Sequence, residues 1–123
     1  MNKKALTRVL HKACEYLDIP AANWPKLNTS IKPPPWVAAY IKGGTPGPLY
    51  GMCWIPDDTK LPNHIWINLH GCDRDGLHPV RVLMHEVKHL HNEIVLWDEW
   101  DENLAEQWEG VLYDLWAAGG LQG

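Results

Sequence analysis

Residues 78–94 read HPVRVLMHEVKHLHNEI, and they carry the clearest structural signal in the chain. Pro79 suits the first position of a helix, where the missing N–H has no intrahelical partner to lose. Apolar residues then recur at helical spacing over about four turns: Val80, Leu83, Val87, Leu90 and Ile94. The pattern predicts an amphipathic helix with one face in the core.

The same helix carries the sequence His-Glu-Val-Lys-His at positions 85–89. Two histidines four residues apart project from one helix face about one turn apart, so both imidazoles can reach one metal ion. Glu86 follows the first histidine, which places it beside the metal and not on it. His85 and His89 are therefore candidate zinc ligands, and Glu86 is the candidate general base for a zinc-bound water.

A third protein ligand is expected from the last helix, because no His or Cys follows His91. Polar or small residues recur there at spacings of three and four and form one stripe: Glu102, Ala105, Glu106, Glu109 and Tyr113. Glu102 can complete the site, and Glu106 can accept a hydrogen bond from a ligating histidine. Asp98 and Asp101 are rival ligands. Alternatively, the acidic residues Asp98, Glu99, Asp101 and Glu102 only stabilise the positive end of a helix dipole.

The remaining pattern predicts an α+β fold in one domain over residues 1–123. Apolar spacing predicts an N-terminal helix over residues 3–18, and five prolines predict an irregular connection over 20–35. Three runs read as strands of an antiparallel meander: 36–42, 50–55 and 64–69. A loop over 71–76 precedes the histidine helix, and a last helix is expected from Asp98 or Asp101 to about Ala118.

Composition excludes several classes of function. The formal net charge is −4 and the basic residues are scattered, so nucleic acid is not an expected partner. No stretch approaches 18 apolar residues, so no membrane association is expected. Three cysteines without a C-x-x-C pair predict reduced thiols in a cytoplasmic protein, and the charged N-terminus does not resemble a signal peptide.

Two segments together resemble a known family. His85-Glu86-Val87-Lys88-His89, followed by Glu102-Asn103-Leu104-Ala105-Glu106-Gln107-Trp108, is similar to the gluzincin metallopeptidases, and most to the compact ImmA/IrrE-type members. The resemblance covers about residues 50–116. It implies a zincin-like fold, Zn²⁺ as cofactor, Glu102 as third ligand and Glu106 where the family usually has Asn. Lys88 replaces a small residue, which suggests that this side of the helix is exposed. The short chain suggests a phage-derived protein.

The function expected from these features is zinc-dependent cleavage of peptide bonds in a peptide or protein substrate, as an endopeptidase. The strand from His64 to His70 is expected to border the cleft as an edge strand that pairs with an extended substrate. Tyr113 and His70 are candidate donors to the transition state. A catalytically silent zinc-binding regulatory module is the alternative function, and a packing protein without metal is a third. The sequence leaves the oligomeric state open.

Overall fold

The computed structural model describes residues 1–42, 49–58, 60–96 and 102–121, and at Lys42 the backbone alone. Its regular elements follow one another along the chain in this order: helix α1 (Lys3–Tyr16), a 3-10 turn (Ala21–Asn23), strand β1 (Lys26–Asn28), helix α2 (Pro35–Lys42), strands β2 (Gly51–Trp54) and β3 (His64–Ile67), and helices α3 (Leu69–Asp75), α4 (Pro79–Ile94) and α5 (Glu102–Ala117). The α+β class, the N-terminal helix, the histidine helix and the last helix are confirmed.

The sheet is mixed, so the predicted antiparallel meander is wrong. Its strand order is β1-β3-β2, with β3 in the centre. β2 runs antiparallel to β3 and pairs Cys53 with Ile65, whereas β1 runs parallel to β3 and pairs Leu27 with the same residue. Two of the three predicted strands are confirmed, because β2 lies within 50–55 and β3 within 64–69.

The predicted strand over residues 36–42 is a helix. Pro35 begins it, and the carbonyl of Pro34 accepts hydrogen bonds from the amides of Val37 and Ala38. The third strand instead comes from Lys26–Asn28, inside the segment predicted to be irregular. The amide of Lys26 donates to the Asn63 carbonyl at 2.9 Å, which brings this segment alongside the start of β3.

The core lies between the sheet, α1 and α4. Ile65 and Ile67 face it from the central strand, and Leu10 of α1 and Leu83 of α4 are fully buried in the same cluster. The opposite face of the sheet is also covered, because Trp66 is 1% exposed and its indole N–H donates to the Ser30 carbonyl at 3.0 Å. At Trp66 this face is therefore packed against the segment that contains Ser30.

Residues 71–76, predicted as a loop, mostly belong to helix α3. The Asn68 side chain accepts from the amide of Gly71 at 2.9 Å and caps the helix, and Gly76 ends it with a φ of 71°, a conformation that favours glycine. This short helix turns the chain from the end of β3 to the start of α4. Within the described ranges, none of the helices combines the length and apolar character needed to cross a bilayer.

Lys88 is buried, which contradicts the exposed position expected for it. The side chain is 2% exposed, its ammonium donates to His91 Nδ1 at 2.8 Å, and it lies 4.5 Å from the centre of the Trp108 ring. Lys88 thus fills the interface between α4 and α5. The long aliphatic stem and the cation–aromatic contact account for a lysine at this position.

Candidate metal centre

Helix α4 presents His85 and His89 on one face. The helix begins at Pro79, and the ring of His78 accepts a hydrogen bond from the amide of Val80 at 3.2 Å. Its apolar face is buried in the core, which fixes the direction in which the histidines point. Their Nε2 atoms lie 3.2 Å apart and their ring centres 4.9 Å apart.

Glu102, the first residue of α5, meets both histidines with its carboxylate. Oε2 lies 2.9 Å from His85 Nε2, and Oε1 lies 2.9 Å from His89 Nε2. Exposure of the three side chains rises from 1% at His89 through 19% at His85 to 57% at Glu102. The group therefore has a buried side within the protein and an open side at Glu102.

The donor atoms of these three residues fit a divalent metal ion. Two imidazole nitrogens and one carboxylate oxygen lie within 4.8 Å of one another. A tetrahedral zinc ion with bonds of about 2.0 Å places its ligand atoms about 3.3 Å apart. This is close to the 2.9 Å between His85 Nε2 and Glu102 Oε2 and the 3.2 Å between the two histidine Nε2 atoms. The His85–His89–Glu102 group could thus hold a metal ion, with one coordination position left for water or substrate.

Glu86 lies next to this group and is almost entirely buried, with 6% of the residue exposed. Burial raises its pKa to about 7, an effect that the carboxylates of Glu102 and Glu109 reinforce and that His85 and a backbone hydrogen bond from Cys53 oppose. A carboxyl group with a pKa near neutrality can both accept and return a proton at physiological pH.

Glu109, and not Glu106, is the carboxylate that meets the second ring nitrogen of His85. Glu109 Oε1 lies 3.2 Å from His85 Nδ1, whereas Glu106 is exposed. Residues seven apart on a helix lie only about 20° from each other, so Glu102 and Glu109 share a face more closely than Glu102 and Glu106 do. That seven-residue spacing was the signal in the sequence that would have identified Glu109.

The electrostatics at His85 follow from these neighbours. Burial alone would lower the pKa of its imidazole, but the carboxylates of Glu86, Glu109 and Glu102 raise it overall. Glu109 is in turn paired with Arg81, whose Nε lies 3.2 Å from Glu109 Oε2. The site therefore gathers three carboxylates and one arginine around the two histidines.

A cavity of about 650 Å³ opens beside the metal-binding group. Its polar lining residues include Arg81, His85, Glu86, Glu102 and Glu109. The other lining residues are mostly apolar and come from α2, β2, α4 and the segments that precede β2 and α4: Tyr40, Leu49, Tyr50, Met52, Leu77 and Val82. A cavity of this size accommodates several residues of an extended peptide or a comparable small molecule.

β2, and not β3, is the strand that borders this cavity. Gly51, Met52 and Cys53 line it, whereas β3 is the central strand with a partner on either side. The expected role of the His64–His70 strand as an edge beside the cleft is therefore wrong. The reason is that β1 occupies the other side of β3, through the parallel pairing that the sequence pattern did not show.

The two candidate transition-state donors lie elsewhere in the structure. His70 is exposed on α3 and lines a different cavity with Leu69 and Asp73. The Tyr113 ring packs on His78, with ring centres 5.4 Å apart, and neither Tyr113 nor His70 is among the residues that line the cavity beside the metal-binding group. The rival ligands Asp98 and Asp101 fall outside the residues that the structure describes.

Comparison with protein-family models, with curated proteins and with solved structures produced no significant match to this chain.

Proposed function

We propose that the protein is a zinc-dependent peptidase of the gluzincin type on a minimal zincin-like fold. The observation that carries the proposal is the meeting of His85 Nε2, His89 Nε2 and the Glu102 carboxylate beside a buried Glu86. Two imidazoles and one carboxylate with an open fourth position are typical of catalytic zinc, whereas structural zinc is usually enclosed by four protein ligands.

The residues divide the chemistry between them. His85, His89 and Glu102 would hold the ion, which when bound supplies Lewis acidity to the substrate carbonyl and to a water molecule. The Glu86 carboxylate accepts a proton from that water at one of its oxygens and returns it to the amine that leaves when the peptide bond breaks. Burial of Glu86 supports this role, since in the metal-free protein it raises the pKa of this carboxyl group to about 7.

The cavity supports a peptide as the substrate. An extended chain lying along β2 would find backbone groups of this strand on the side away from β3, the arrangement by which proteins bind peptides as an additional strand. The apolar wall formed by residues such as Leu49, Met52 and Val82 favours a bulky apolar side chain next to the cleaved bond. We therefore propose extended peptides or protein segments with apolar side chains as substrates.

A silent zinc-binding module is the competing function, and Glu86 argues against it. A module that only binds metal requires the three ligands and no further acid. Burial of an additional carboxyl group costs free energy, whatever the function of that group. Because Glu86 is both buried and directed to the cavity beside the ligands, catalysis accounts for it and metal binding alone does not.

The test is peptide hydrolysis by the zinc-loaded protein and by Glu86→Gln, measured with casein and a fluorogenic peptide library. Glutamine keeps the size of the side chain but removes the proton acceptor. Zinc content should stay unchanged while hydrolysis falls by at least about 10²-fold, the loss expected for a missing general base. Equal hydrolysis by both proteins, or none by the wild type on any peptide, would overturn the proposal.

A further inference from the structure

The imidazole of His85 lies between two carboxylates of the same helix. Glu102 meets Nε2 at 2.9 Å, and Glu109, two helical turns later on α5, meets Nδ1 at 3.2 Å. A histidine that binds metal through Nε2 must carry its proton on Nδ1, and an acceptor at Nδ1 fixes that tautomer and the orientation of the ring. Glu109 is placed to provide this acceptor.

Arg81 holds the other oxygen of Glu109. It lies one turn before His85 on α4, and its Nε is 3.2 Å from Glu109 Oε2. Each oxygen of Glu109 therefore has its own partner, Arg81 at Oε2 and His85 at Oε1. The Glu109 side chain is 18% exposed and the Arg81 side chain 49%, so the carboxylate end of the pair is partly shielded from solvent while the guanidinium end is open to it.

We propose that Arg81 is a positioning residue of the metal centre, acting through Glu109 on His85. The proposal rests on the metal-binding part of the proposed function. Arg81 anchors one oxygen of Glu109 so that the other stays at His85 Nδ1, which leaves Nε2 free for the metal.

The Arg81–Glu109 pair also joins α4 to α5. Glu102 and Glu109 stand on one face of α5, and both meet residues of α4. Fixing Glu109 two turns further along therefore also restrains the rotation of α5 that brings Glu102 to the histidines. Arg81 thus affects two candidate ligands. It acts on His85 through the Glu109 carboxylate, and it acts on Glu102 through the placement of α5.

A second role for Arg81 has to be distinguished, because its guanidinium also lines the cavity. A cation there could bind a carboxylate of the substrate instead of positioning Glu109. The two roles differ in what they change. Positioning alters the affinity for zinc in the absence of substrate, whereas carboxylate binding alters only the KM for peptides that carry the carboxylate.

The test measures zinc affinity by competition with a chromophoric chelator, in wild type, Arg81→Met, Glu109→Gln and the double variant. We expect Glu109→Gln to weaken zinc binding by about 10- to 100-fold and Arg81→Met by about 10-fold. In the double variant Arg81→Met should add nothing, because its effect passes through Glu109. Glu106→Gln, three residues from Glu109 on the same helix and exposed, is the matched control and should leave zinc affinity unchanged.

A second readout needs neither metal nor substrate. The ¹⁵N chemical shifts of the His85 ring in the zinc-free protein report which nitrogen carries a proton and whether it is hydrogen-bonded. They should change in Arg81→Met and in Glu109→Gln and stay constant in Glu106→Gln, with circular dichroism verifying that each variant is folded.

Unchanged zinc affinity and unchanged ring shifts in Arg81→Met, or losses that multiply in the double variant, would overturn the positioning role. A rise in KM for peptides with a free carboxylate, at unaltered zinc affinity, would assign Arg81 to the substrate instead. The zinc affinity and the ring shifts can both be measured without peptide turnover. A chain that binds zinc in an Arg81-dependent way but cleaves no peptide would overturn the proposed function and leave this inference standing.

Discussion

At the scale of single residues, helical geometry alone relates three neighbouring side chains on α4. The spacing of His85, Glu86 and His89 fixes where each side chain stands around the helix, whatever the rest of the chain does. The partners from α5 depend on how two helices pack, which spacing does not determine. Glu102 was expected from the polar stripe of the last helix and from the resemblance, and its carboxylate lies beside both histidines. Glu106 was expected to accept a hydrogen bond from a ligating histidine, whereas the carboxylate beside His85 Nδ1 is that of Glu109.

The cysteines provide a prediction at this scale. All three are buried, and burial raises the pKa of Cys14 to about 12 and raises those of Cys53 and Cys72 as well. Because the thiolate is the reactive form, we expect little reaction with a disulfide reagent at pH 8 in the folded protein. In denaturant all three should react rapidly. A thiol that reacts at the denatured rate in the folded protein would contradict this prediction.

At the scale of elements, the contact between β2 and α4 places the histidines beside the cavity. A Cβ added at Gly51 would lie 2.7 Å from Val82 Cγ1 and 3.2 Å from the Trp66 carbonyl oxygen. Real Cβ atoms essentially never show the first of these distances and only seldom the second, so the absence of a side chain at Gly51 lets the strand and the helix approach each other. Val82 lies one turn before Glu86 on α4, so this contact positions the face of the helix that carries Glu86.

We therefore expect Gly51→Ala to lower the free energy of unfolding by about 1–3 kcal/mol, the usual cost of overpacking. Val82→Ala in the same chain should recover part of that loss. Gly110→Ala is the control, since a Cβ there meets only Arg81 Nη2 at 3.7 Å, an ordinary contact. Because alanine favours helix over glycine, this control should gain up to about 1 kcal/mol. Urea unfolding measures all of these changes, and an undiminished stability in Gly51→Ala would contradict the close contact.

Two errors in the predicted elements have different physical causes. Residues 36–42 include Trp, Val, Tyr and Ile, which favour strands, but Pro35 begins a helix and Ala38 and Ala39 continue it. The strand at Lys26–Asn28 is short and parallel to its partner, so no hairpin turn in the sequence indicates it. Its position depends on pairing with residues about 38 positions away, and local patterns do not contain that information.

For the molecule as a whole, the site concentrates negative charge that the zinc-free protein must accommodate. Burial raises the pKa of Glu86 to about 7 in the folded state, against 4.5 for the unperturbed group. Between these pH values the folded state keeps a proton that the unfolded state has released. Stability contributed by this group is therefore present below about pH 4.5 and is lost as the pH rises towards 7.

We expect the free energy of unfolding of zinc-free protein to fall between pH 5 and pH 8, with Glu86 contributing up to about 3 kcal/mol. The raised pKa of His85 acts in the same direction, because its protonated form is favoured in the folded state and is lost as the pH rises. Glu86→Gln should remove most of the slope. Urea unfolding at several pH values measures it, and a stability that rises with pH in the wild type and not in Glu86→Gln would contradict the burial of Glu86.

Zinc content measured by mass spectrometry, in protein purified without chelator, tests the central claim most directly. We expect about one zinc ion per chain in the wild type and almost none in His89→Ala or Glu102→Ala, since each removes one of three ligands. Asp98→Ala and Asp101→Ala, the rival ligands, serve as matched controls and should keep their zinc. A wild type without metal, or a Glu102→Ala variant that retains zinc while one of the aspartate variants loses it, would contradict the His85–His89–Glu102 site.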